Sequence, residues 1–276
     1  PGAPGPFALS DEDTLRRFAE GAALLDGHTM IAARAVGKQM FLEFDNHLTL
    51  RIHLGLYGAW DFAGDFTADA TVASAGGRMG QTNQRGTLLD LDAADGSPPS
   101  IGAPRRRRLR ISEQEVLSDV PTVFPHEPVG AVRVRLLTRD TVADLRGPTA
   151  CEVQTPEQVD VSLAKLGPDP LVDDQAVSEE RFVHVIRKKP TPIALLLMDQ
   201  SVVSGIGNVY RAELLFRARL NPHTPGKLVP EETVRAIWQD WCHLLPIGVK
   251  TGQMLTRDGL TPAGKRKALT RRADRH

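Results

Sequence analysis

Cysteine is nearly absent from this 276-residue chain: Cys151 and Cys242 stand alone, neither in a Cys-x2-Cys nor in a Cys/His ligand spacing. Four-ligand zinc sites cannot be assembled from them, and one disulfide is the most they could form. Nothing resembling a secretory apolar segment precedes them, so the sequence predicts free buried thiols and a cytoplasmic location. No stretch reaches the roughly 18 apolar residues of a membrane-spanning helix, so no membrane partner is expected. The formal net charge is zero and aromatic content is 5 %. A uniformly basic polyanion binder is thereby excluded, but local patches are not.

Those patches exist. "RRRRLR" (105–110) and "KRKALTRRADRH" (265–276) are strongly basic, while "DPLVDDQAVSEE" (169–180) is acidic. At this length, with 41 % hydrophobic residues, the chain can bury a full core and divides into two domains. "PGAPGPFALSDE" opens it with three prolines and two glycines, which reads as a tail over 1–17. "LRRFAEGAALLDG" is a short helical stretch closed by Gly27, and "MIAARAVGKQMFLEF" with "HLTLRIHLGLYGAW" alternates as hairpin strands do. From Asp61 to about Pro128 apolar periodicity nearly vanishes, which predicts a flexible insertion within a β domain spanning 18–165. Alternation returns in "AVRVRLLTRDTVADL", where Val132, Val134, Leu136 and Thr138 share a face. Past the Pro-punctuated "LGPDPL" the chain turns helical over 166–255, with helices expected near 175–189, 191–199, 207–219 and 230–248. Pro230, Glu231 and Glu232 suit the first turn of the last of these. Residues 256–276 read as a basic tail.

"SVVSGIGNVYRAELLFRARLNP" (201–222) places a Gly-x-Gly turn between two helical runs, with no preceding strand or nucleotide-binding motif, and no cofactor is expected. Gly205 and Gly207 let a backbone approach closely and let N–H groups point outward at the positive end of the following helix, which suits a phosphate. The same glycines equally permit tight helix packing.

"MDQSVVSGIGNVYRAELLFRARLNPHTP" resembles the helix–two-turn–helix segment of the formamidopyrimidine-DNA glycosylase and endonuclease VIII family. "VGKQMFLEF", "LRIHLGLYGAW", "DLRGPT" and "LGPDPL" are similar to further family segments in family order, so the resemblance covers most of residues 18–255. An actinobacterial endonuclease VIII type is the nearest likeness. The resemblance implies an α+β fold: an N-terminal β-sandwich, then a helical domain with the helix–two-turn–helix, and double-stranded DNA bearing damaged bases or abasic sites in the cleft between them. It further implies base-excision repair by a monomeric bacterial glycosylase and abasic-site lyase, working through an imine in the cytoplasm or nucleoid.

The chemistry needs an amine to attack the sugar C1′ and groups to shuttle protons. Pro1 matches the family's nucleophile by position, its secondary amine being neutral nearer pH 7 than a lysine's. Gly2, however, stands where the family carries a glutamate. Lys38 matches the hairpin lysine that assists elimination or binds phosphate. Arg146 matches the arginine that fills the gap opposite an extruded nucleotide or touches the backbone, and Leu56 and Tyr57 match the loop that wedges into the base stack, with core packing as their alternative. Gly205, Gly207 and Asn208 match the phosphate-gripping turn, and Lys188 and Lys189 the basic pair ahead of it. Asn208 can also serve as a helix cap. The family's C-terminal four-cysteine zinc module has no counterpart here, either because it is truncated or because the chain belongs to a zinc-less branch, and with only Cys151 and Cys242 available no metal is expected. Three readings follow: a DNA glycosylase and lyase, a DNA-binding relative with weakened catalysis, and a helical scaffold unrelated to DNA, which five co-ordered motifs disfavour.

Overall fold

The computed structural model describes residues 19–55, 57–64, 100–102, 124–125, 127–128, 130–251 and 254–270. The tail over 1–17 and the "RRRRLR" patch lie outside the described residues, as does most of the insertion, 65–99 and 103–123.

Helix α1 (19–25) ends as expected before Gly27, whose φ of 77° is the left-handed conformation that glycine adopts cheaply. Strands β1 (Met30–Val36), β2 (Gln39–Phe44) and β3 (Thr49–His53) form an antiparallel meander, and β8 (Ala150–Gln154) closes that sheet in the order β1-β2-β3-β8. The second sheet has the order β5-β4-β7-β6, from β4 (Ala59–Gly64), β5 (Ser100–Gly102), β6 (Val132–Leu137) and β7 (Thr141–Arg146). Alternation places Leu42 and Phe44 of β2, Leu50 and Ile52 of β3, and Trp60 and Leu145 of the other sheet in one buried cluster. Two sheets facing across such a cluster make the sandwich. Two parts of the expected insertion belong to it: Asp61–Gly64, at its start, prolong β4, and Ser100–Gly102, in its interior, pair with β4. A buried acid at 61 interrupts the apolar pattern there, which is why the strand reads as ending early.

The helical half begins with α2 (Pro156–Ala164), absent from the expectations although Thr155 and Gln158 form a capping box and Pro156 opens the first turn. Helix α3 (Gln175–Lys188) is N-capped by Asp174, and α5 (Asn208–Arg217) and α6 (Glu231–Thr251) follow within a few residues of their expected bounds. The expected 191–199 helix shrinks to α4 (Ile193–Leu196). Asp199 ends it, accepting from the backbone N–H and the hydroxyl of Ser201 at 2.9 and 2.6 Å in a turn that competes with helix. Helix α7 (Pro262–Thr270) occupies part of the segment expected as a basic tail, and buries Ala268. The core of this half joins Phe182 and Ile186 of α3, Ile193 and Leu197, Val203 and Ile206, Leu214 of α5, and Trp238 and Trp241 of α6. Burial of one such side chain contributes about 1.5–3 kcal/mol. Arg235 bonds Glu179, Glu180 and Glu231, which ties α3 to α6 at the surface.

Candidate functional site

The tip of the β1–β2 hairpin meets the glycine turn of the helical half. Val36 pairs with Gln39, leaving Gly37 and Lys38 as the two turn residues. The Gly37 N–H donates to Asp169 Oδ2 at 2.6 Å, and Asp169, only 2 % exposed, also accepts from the Leu171 N–H through Oδ1 at 2.9 Å. Gly37 has φ 56°, and a Cβ there would sit 2.9 Å from Ser204 Cβ and 3.1 Å from the Gly205 nitrogen. Only glycine brings the tip this close. One residue on, the Lys38 ammonium donates to the Ile206 carbonyl at 2.6 Å.

That turn is stapled from behind. Gln200 accepts from the Gly205 N–H at 2.9 Å and donates to the Ile206 carbonyl at 3.1 Å. Gly167 N–H bonds the Gln200 carbonyl, Ser204 N–H bonds the Pro168 carbonyl, and the Ser204 hydroxyl bonds the Gly167 carbonyl, at 2.7, 3.0 and 2.7 Å. The two glycines have separate tasks. Gly205 takes φ 91° with a would-be Cβ 3.1 Å from the Trp241 ring, whereas Gly207, extended, leaves room for Lys38, whose Nζ lies 3.5 Å from its would-be Cβ. Gly207 is the N-cap of α5 and supplies no side-chain capping bond. Asn208 is thus the first helical residue, not the cap, and it is exposed.

Burial holds the Lys38 pKa below the ordinary lysine value. His53, in register with Gln39 beside the tip, is held below the usual histidine value by burial first, then by the Lys38 and Arg51 charges. The junction therefore gathers a depressed-pKa amine, an imidazole, and the uncapped N–H groups of a ten-residue helix. Such a set holds an anion and presents an amine beside it.

Two other motifs touch one another nearby. The loop between β3 and β4 packs on the turn after β7: Thr149 N–H donates to the His53 carbonyl at 2.8 Å, and a Cβ on Gly147 would lie 3.1 Å from the Tyr57 carbonyl oxygen. Tyr57 is 78 % exposed on this loop, so the packing alternative does not apply to its side chain, while Leu56 lies outside the described residues. Arg146 closes β7 and is held by Asp61 of β4, its Nε and Nη2 donating to the carboxylate at 2.5 and 3.2 Å.

The basic pair separates. Lys189 lies 3.7 Å from Asp199, just ahead of the glycine turn, whereas Lys188 lines a groove between α3 and α6 with Glu180, Glu231 and Arg235. Pro1 lies outside the described residues. Both cysteines are free, Cys151 in the sandwich core and Cys242 half-buried on α6, and burial pushes each thiol up to about 11. Among the described residues no group of three or more His, Cys, Asp and Glu could hold a metal ion. Sequence reasoning missed Asp169, Gln200, His53 and Asp61. The first three sit inside the quoted motifs, so a signal existed for them; Asp61 adjoins one and carried no signal beyond a break in apolar alternation.

Residues 166–259 match the model of the formamidopyrimidine-DNA glycosylase H2TH domain. The fold also matches Lactococcus lactis formamidopyrimidine-DNA glycosylase non-covalently bound to DNA containing an abasic site, with a TM-score of 0.57 at 18 % identity over 91 % of this chain and 72 % of that one. Endonuclease 8 1 of Mycobacterium tuberculosis is 33 % identical over 239 residues, 87 % of this chain and 68 % of the relative. Formamidopyrimidine-DNA glycosylase of Acidiphilium cryptum is 37 % identical over 250 residues, 87 % of this chain and 66 % of the relative. The chain spans about two thirds of the length of these two relatives. It belongs to the formamidopyrimidine-DNA glycosylase and endonuclease VIII family of DNA-repair glycosylases, on the endonuclease VIII side.

Proposed function

We propose that this chain acts in base-excision repair, binding duplex DNA at a damaged base or abasic site and cleaving the strand at that site through an imine. The observation that carries this is the Lys38 junction: a partly desolvated amine 2.6 Å from the Ile206 carbonyl, inside the turn that opens helix α5. In this reading the N-terminal amides of α5 and Asn208 hold the phosphates beside the lesion, Lys189 adds charge, and Tyr57 with Leu56 wedges the stack. An amine of the chain attacks the sugar C1′ to form the imine, while Lys38, which needs only to leave one carbonyl, reaches a sugar or phosphate oxygen to assist the elimination. The protein works as a monomer in the cytoplasm, with DNA as its partner.

Base removal needs a proton donor at the sugar as well as an amine. An abasic sugar already equilibrates with its aldehyde and needs that donor less. Incubation with duplexes carrying either an abasic site or an oxidised pyrimidine is therefore expected to show abasic-site cleavage outpacing excision by about a hundredfold or more. Rapid excision of the oxidised base would contradict this assignment of residues. A second reading, DNA binding with little catalysis, draws on the same contact, since an ammonium bonded to a carbonyl also suits phosphate positioning. Tight binding of the abasic duplex without cleavage would select it.

A further inference from the structure

Arg146 and Asp61 form a side-on pair that uses Nε and Nη2 of the guanidinium, at 2.5 and 3.2 Å. Because the group is planar, the pair fixes its orientation and leaves Nη1 on another edge. Asp61 is 7 % exposed and lies directly across from Asp144 in the strand register; Asp144, 1 % exposed, is itself bonded by Arg135 at 2.7 and 2.8 Å. Four charges thus run in the order Arg146, Asp61, Asp144, Arg135 on one face of the second sheet. Withdrawing Arg146 would take the guanidinium away from a buried carboxylate that faces a second carboxylate, a strongly unfavourable step. Arg146 is therefore not an arm that swings out.

We propose that Asp61 is a positioning residue that keeps Arg146 fixed in place beside the Tyr57 loop, so that Arg146 meets DNA through its remaining edge while still paired. This rests on the reading of the chain as a protein that binds damaged DNA. Adjacency comes from the turn after β7, where Gly147, at φ 55°, lets the backbone following Arg146 pass under the Tyr57 carbonyl. A guanidinium pre-set in this way discriminates between a duplex with a gap and one without, because no ordering cost falls due on binding.

The test compares affinities for an intact duplex and for the same duplex with one tetrahydrofuran abasic analogue. Asp61→Asn keeps the shape and removes the charge. It is expected to lower the preference for the abasic-analogue duplex on the order of tenfold, as Arg146→Ala does, while intact-duplex affinity holds or rises with the lost negative charge. A preference raised by Asp61→Asn would mean that Asp61 competes with DNA for a mobile Arg146, and would overturn the proposal. So would an Arg146→Ala variant with unchanged preference. Should Asp61→Asn fail to fold, the Arg146 Nε–Hε NMR signal of the unmodified chain decides: protection kept in the abasic-duplex complex supports the proposal, and protection lost on binding refutes it. Failure of the unmodified chain to bind either duplex would instead sink the DNA reading on which the proposal rests.

Discussion

On the helical side of the junction the glycine turn rests on Trp241, Val203 and Ile206, all buried, and nearly every polar group in it is bonded to backbone or to Gln200. On the sandwich side the Lys38 side chain is placed by a single bond, to the Ile206 carbonyl, above a smaller apolar cluster. The contrast is that of a fixed cradle and an adjustable edge. Substitutions in the cradle should register first as lost stability, and those on the edge as lost function in a folded protein.

The largest expected effect lies on the edge. Lys38→Ala should slow abasic-site cleavage on the order of a hundred- to ten-thousand-fold, with a circular dichroism melt close to that of the unmodified chain. Its pH dependence follows from the depressed pKa. Below the ordinary lysine value of 10.5 the folded chain binds fewer protons at Lys38 than the unfolded chain does. Stability from this residue therefore rises with pH up to that value, and Lys38→Met should flatten the rise. The neutral amine also accumulates earlier, so cleavage at saturating enzyme should level off at a pH below 10.5; a rate still climbing there would show a solvated lysine.

In the cradle, Trp241→Ala removes the ring beneath Gly205 and the edge-to-face contact with Tyr210 at 4.8 Å. It should cost about 3–5 kcal/mol in urea unfolding. Gly205→Ala, which puts a side chain at φ 91° against that ring, should cost about 1–3 kcal/mol by the same measurement. A Gly205→Ala variant that unfolds like the unmodified chain but binds DNA poorly would reverse the comparison, making the turn the functional edge. The smallest effect separates the basic pair. Lys189→Ala should reduce the slope of log affinity against log salt by about one, and Lys188→Ala, facing the α3–α6 groove, by less.

How far the sequence could be read follows the same division. Helices α3, α5 and α6 were legible because amphipathic periodicity and caps are local signals, and the β domain because β2 and β3 alternate cleanly; that its strands form a sandwich was legible only through the family resemblance. Helix α2 carried a local signal too, in Thr155, Pro156 and Gln158, but its short and weakly apolar run hid it. The motifs located Lys38 and the glycine turn separately. Their contact depends on Asp169 reaching a backbone N–H 132 positions away, a distance no periodicity encodes. Arg146 was legible as a residue and not as a pair, since its partner lies 85 positions off in a stretch without apolar pattern. Lys188 and Lys189, adjacent in sequence, diverge because α3 ends between them.

The central claim is that an amine of this chain reaches the sugar of a lesion held at the Lys38 junction. Borohydride trapping on a duplex with a single abasic site tests it most directly, because only an imine-forming amine is captured covalently. The account predicts one chain joined to one duplex, with capture strongly reduced in Lys38→Ala; a chain that binds the abasic duplex and is never captured would contradict it.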